Sequence, residues 1–72
     1  LTVVISPNPA SNSINITMEL EVKSVEIYNL QGQKVIESKQ KQINVSDLAA
    51  GIYMVRIQSA NHDVITQKIV IE

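Results

Sequence analysis

The chain contains no cysteine, so neither a disulfide nor a thiolate metal site can staple it. It also contains no Phe and no Trp, and its only aromatic residues are Tyr28 and Tyr53. Modules that bind sugars or single-stranded nucleic acid present aromatic stacking platforms, and two tyrosines in separate strand-like runs do not build one. An excess of either charge is missing too: six basic residues face seven acidic ones, for a net charge of −1. Nucleic-acid binding draws on a concentrated basic surface that displaces counterions, so no nucleic-acid partner is expected. Lys34, Lys39 and Lys41 form the one local basic group, and read as solvated lysines on a loop or edge strand, where they discourage aggregation. No apolar run approaches the roughly 20 residues of a membrane helix, so direct membrane insertion is not expected either. No signal peptide is visible and residue 1 is Leu; the chain reads as a piece of a longer precursor, with any targeting peptide upstream.

Catalytic chemistry is absent in the same way. His62 is the only histidine, and beside Asp63 in the turn-like "SANHD" it reads as a solvated loop residue. A zinc or copper site needs further His or Cys ligands. The carboxylates Glu19, Glu21, Glu26, Glu37, Asp47, Asp63 and Glu72 are scattered singly. Glu19 and Glu21 flank Leu20 and are expected to share a strand face, but a glycosidase pair needs a deep cleft as well. The loop "SPNPASNS" is polar yet carries no carboxylate for calcium. No enzyme activity, cofactor or metal is expected. The triplets Asn15-Ile16-Thr17 and Asn44-Val45-Ser46 match the glycosylation sequon, a pattern frequent by chance.

What the chain does have is Val and Ile, 20 of its 72 residues. These β-branched side chains suit a pleated, half-buried surface. The length allows one domain, residues 1–72. A domain of this size buries about 60% of the surface its unfolded chain exposes, so it rests on apolar packing alone or on a neighbour. Seven strand-like runs are separated by turn chemistry: Leu1 to Ile5, Ile14 to Met18, Ser24 to Asn29, Lys34 to Ser38, Gln42 to Val45, Ile52 to Gln58 and Val64 to Ile71. Val25 and Ile27 share one face of the third, with Glu26 and Tyr28 on the other. Ile65, Gln67, Ile69 and Ile71 share one face of the seventh.

Pro7 and Pro9 in "SPNPAS" cannot donate to a ladder and break it. "NLQGQ" reads as a hairpin loop with Gly32 at positive φ. "SDLAA" is compatible with one helical turn capped by Ser46 or Asp47, and no other segment has a helical period. The pattern predicts an all-β, two-sheet antiparallel sandwich of the Ig-like kind, with about seven short strands. Leu48 is expected to plug the open end of its core. Gly51 is expected to start a strand in a conformation a side chain forbids. Tyr53 should bury its ring beside Val55 and Ile57, with its hydroxyl at the end of the sandwich. The apolar "QKIVIE" is an aggregation liability if it forms an exposed edge, and such an edge also admits an edge-strand dimer.

The order of "SPNPAS", "VEIYNLQGQKV", "INVSDLAAGIYMVRI" and "TQKIVIE" closely resembles the type A C-terminal sorting domain of the type IX secretion system. The resemblance spans essentially the whole chain. Its marks are Pro7, Asn8 and Pro9; the hairpin with Gly32; the string Leu48, Gly51 and Tyr53; and the terminal Lys68, Ile69 and Val70. Members often carry a basic residue after the apolar pair, where this chain has Ile71 and Glu72. The resemblance implies a non-catalytic secretion signal of Bacteroidota behind an N-terminal cargo. The cargo passes through the periplasm and the outer-membrane translocon to the cell surface or the medium, and a surface sortase removes the domain. Lys68, Ile69, Val70, Ile71 and Glu72 are the expected recognition element for translocon or sortase, read by strand addition to an open sheet edge. The other reading is an Ig-like or fibronectin-like spacer or ligand-binding module of a larger extracellular enzyme, since a sandwich does not fix function.

Overall fold

The computed structural model describes residues 2–72. Seven strands are present: β1 (Val4–Ser6), β2 (Ser13–Thr17), β3 (Val22–Tyr28), β4 (Lys34–Ser38), β5 (Gln42–Asn44), β6 (Gly51–Ser59) and β7 (Val64–Ile71). They form two antiparallel sheets, in the orders β1-β2-β5 and β4-β3-β6-β7. The expected small sandwich is therefore the fold. Two of the seven runs have the bounds read from the sequence, and the other five differ by up to three residues at an end. The first strand begins at Val4 rather than Leu1, which lies outside the described residues.

Alternation along each strand builds the core. Ile5, Ile14, Ile16 and Ile43 line the inner face of the smaller sheet, and Val25, Ile27, Tyr53, Val55, Ile57, Ile69 and Ile71 line that of the larger one. Cross-strand register puts like with like: Ile14 opposes Ile43, Val25 opposes Ile57, and Ile27 opposes both Ile36 and Val55. These opposed pairs are the units that stabilise a sheet.

Two sequence expectations fail. Glu19 and Glu21 do not share a strand face, because both lie in the connection between β2 and β3. That connection crosses from one sheet to the other and drops Met18 into the core and packs Leu20 against it. "SDLAA" forms a turn and no helix. Its cap is neither Ser46 nor Asp47. The Asn44 Oδ1 accepts from the Ser46 N–H at 2.8 Å and the Ser46 hydroxyl at 2.6 Å, an Asx turn that competes with helix formation.

The β3–β4 pairing contains a bulge, in which Ile27 opposes Ile36 but Tyr28 opposes Lys34. The extra residue, Val35, reverses the face on which Lys34 falls. Lys34 and Glu37, three residues apart, thereby share the outer face, with Lys34 Nζ 2.7 Å from Glu37 Oε1 and 3.6 Å from Glu26 Oε2. Arg56 reaches Glu26 from the other side at 3.0 Å. Glu26 and Glu37 are directly opposed, a repulsive arrangement that Lys34 bridges. The hydrogen bond to Lys34 and its charge lower the Glu37 carboxyl below its ordinary 4.5, and the same bond raises the Lys34 ammonium above 10.5. The depressed carboxyl contributes stability above its ordinary value and loses it as pH falls through the depressed one. The raised ammonium contributes below its ordinary value and loses it as pH rises through the raised one. Glu37→Gln should therefore lower the melting temperature slightly at neutral pH, and the gap to the parent should close as pH falls below 4.5. Melting curves at pH 7 and at acid pH check this; a gap that persists in acid would show that the pair is not its cause.

The β6–β7 turn has its own strain. Ser59 and Asp63 close it, with the Ser59 N–H donating to the Asp63 carbonyl at 2.9 Å. The buried Ser59 hydroxyl oxygen accepts from the N–H groups of Asn61 and Asp63. His62 takes φ of 69°, the left-handed position usually given to glycine in three-residue hairpin loops. His62→Gly should raise stability by about 0.5–1 kcal/mol, the left-handed penalty of a side chain less the extra chain entropy of glycine. The exposed imidazole lies 3.4 Å from Lys23 Nζ at its Nδ1; the urea midpoint measures the net effect, and a fall in midpoint would show that this contact outweighs the backbone strain.

Candidate functional site

The four sequence motifs lie at one end of the sandwich, the end at which β7 finishes. β7 is the edge strand of the larger sheet. Gly51 opposes Ile71 and Tyr53 opposes Ile69, so the string containing Leu48, Gly51 and Tyr53 begins beside the end of β7. The Tyr53 hydroxyl donates to the Ala49 carbonyl at 2.7 Å and clamps the turn. Leu48 is half-buried against the core, as its place before the strand suggested. Gly51 has φ of 154°, a conformation that side chains rarely adopt, as expected at the entry to the strand. The "NLQGQ" hairpin follows Tyr28, which opposes Met54 at the same end. There Asn29 Oδ1 accepts from the N–H groups of Gln31 and Gln33, and Gly32 has φ of 83°.

"SPNPAS" does more than break a ladder. Both peptide bonds preceding its prolines are cis. After them the chain lies along the outer edge of β7. The Ala10 N–H donates to the Val70 carbonyl at 2.8 Å, and the Glu72 N–H donates to the Ala10 carbonyl at 2.8 Å. This is a parallel bridge between Ala10 and Ile71. Two residues earlier, the Val70 N–H donates to the side-chain Oδ1 of Asn8 at 3.0 Å. Gln67 completes the lacing, its amide donating to the Val3 carbonyl across the two sheets at 2.9 Å.

The five terminal residues are thus of two kinds. Ile69 and Ile71 point inward and are core, at 0% and 2% exposure. Lys68 and Val70 sit on the outer face, and Glu72 follows the strand, exposed. Main-chain directions alternate likewise. Val70 offers its N–H and C=O outward, to Asn8 and Ala10, and the regular register of β6 and β7 carries that direction back to Lys68 and Thr66. Among the described residues no main-chain partner meets those two on the outer side. The role of Asn8 and the cap from Asn44 are the features sequence reasoning missed; an Asn two residues before a small residue is a common pattern, and nothing in it signals the contact.

The described residues form no pocket and no His/Cys/Asp/Glu group able to hold a metal, and no helix is long and apolar enough to cross a membrane. The four motifs thus surround a main-chain edge bounded by a strap. The chain matches the family model of the secretion system C-terminal sorting domain over residues 4–72. It therefore belongs to that family, the type IX secretion C-terminal sorting domains. No curated protein matches it. Membership makes it a C-terminal sorting signal, of a non-catalytic family, for proteins exported to the cell surface or medium.

Proposed function

We propose that residues 1–72 are the export address of an N-terminal cargo, read at β7 by the type IX outer-membrane translocon and afterwards removed by a surface sortase. The observation that carries this reading is the family match over residues 4–72. The open main chain of Thr66 and Lys68 supports β7 as the strand that is read, since an exposed edge accepts an added strand through main-chain hydrogen bonds. Of the five terminal residues, Lys68, Val70 and Glu72 are the ones whose side chains face outward for a partner. Ile69 and Ile71 serve by holding the strand in place. The same edge is the one through which two copies would pair.

A fluorescent reporter directed to the periplasm and fused ahead of residues 1–72 tests the reading. It should reach the surface or medium of a bacterium with a working type IX system and stay in the periplasm of a translocon-deficient strain. Retention in both strains, with the domain folded, would overturn the reading and favour a spacer or ligand-binding module.

A further inference from the structure

In a continuous parallel ladder, a bridge between Ala10 and Ile71 is preceded by one between residue 8 and residue 69. That earlier bridge would carry the Val70 N–H to the main-chain carbonyl of residue 8, and the N–H of residue 8 to the Lys68 carbonyl. Here the first bond is made by the Asn8 side-chain carbonyl instead, at 3.0 Å. The second is not made by any described residue. The segment Pro7–Ala10 is thus an incomplete copy of a parallel strand, satisfying Val70 and Glu72 but leaving Lys68 open. Its other side is poor in donors, because Pro7 and Pro9 have no N–H. It therefore closes the end of the sheet without offering a new edge.

We propose that Pro7–Ala10 is a displaceable stand-in for a partner strand, and that the edge it covers, Lys68 to Glu72, is a docking site for an extended polypeptide running parallel to β7. Such a strand would make the bonds now made by Asn8 and Ala10 and add one to the Lys68 carbonyl. It replaces a side-chain acceptor with main chain throughout. On its outer face it would lie beside Lys68, which has no ion pair among the described residues, so a carboxylate at that position fits. The prolines and Asn8 then have a role that a broken ladder alone does not require: they hold the edge closed until a better strand arrives. The proposal rests on β7 being the strand that is read.

Amide hydrogen exchange on the 72-residue chain tests the displacement independently of export. Val70 and Glu72 should open locally and exchange at least ~100-fold faster than Val55, in the interior of the central strand β6. Asn8→Ala should accelerate Val70 by a further ~10-fold and leave Val55 unchanged. Equal protection of Val70, Glu72 and Val55 would overturn the proposal. In the reporter assay, the pair N8C/V70C should be exported less when cross-linked in the oxidising periplasm than when the same variant is held reduced with dithiothreitol. Equal export of the two forms would also overturn it. Failure of the parent fusion to be exported would instead sink the sorting reading, and the exchange experiment would still decide whether the strap opens.

Discussion

Ile69→Ala is expected to destabilise the domain by about 3–4 kcal/mol, within the range for truncating a fully buried isoleucine. Ile69 is 0% exposed, sits opposite Tyr53 and belongs to the cluster of buried apolar side chains that forms the core. A chain of this length has a stability of roughly 4–11 kcal/mol, with small domains near the bottom. The loss therefore takes most of what a domain without cysteine or metal has. Urea unfolding should show a large drop in midpoint, and a cost below ~1 kcal/mol would mean that the end of β7 is not core. Lys68→Ala, on the outer face of the same strand, should stay within ~0.5 kcal/mol. This contrast decides how export data are to be read. Removing Lys68–Glu72 also removes Ile69 and Ile71, so lost export of that truncation reports unfolding as much as lost recognition. The variant that isolates recognition is Lys68→Glu, which keeps both isoleucines.

The alternation that makes Ile69 core was visible in the sequence, and so was most of the fold. Period-two patterns in "INIT", "VEIY" and "YMVRI" are dictated by pleat geometry, and the structure keeps every inward residue they imply. Gly32, Gly51, Leu48 and Tyr53 were legible because each answers a local demand: positive φ, an open core end, or a hydroxyl needing an acceptor. Glu19 and Glu21 were misplaced because an apolar residue between two acids resembles alternation even in a crossover. "SDLAA" was given a helical turn because the helix-capping residues Ser and Asp stand at its start, while the acceptor that caps it, Asn44, lies two residues upstream. The site was the least legible part. That Asn8 reaches Val70 depends on a contact 62 positions apart, created by sheet order and not by any local pattern. The strands were readable from short-range chemistry, whereas the closure of the last edge exists only once both sheets have packed.

Gly51→Ala carries the second large effect, a destabilisation of about 1–3 kcal/mol that comes from backbone alone. A Cβ built on Gly51 meets nothing within 4 Å, so no neighbour resists the added methyl. The resistance is φ of 154°, a conformation glycine adopts freely and L-residues rarely do. Relief of that strain requires a rotation at the first residue of β6, directly opposite Ile71, so the end of β7 and the bonds of Ala10 to Val70 and Glu72 should loosen with it. Two measurements separate this account from a packing effect. Chemical synthesis of a 72-residue chain with D-alanine at position 51 should restore the parent midpoint, because a D-residue favours positive φ. In the L-Ala variant, exchange at Glu72 should quicken more than exchange at Val55. If L-Ala and D-Ala cost the same, the glycine is required by something other than its backbone angle. If L-Ala costs nothing, the turn between Leu48 and β6 has a second conformation compatible with a side chain, and Gly51 is not what aligns the start of β6 with the end of the recognition strand.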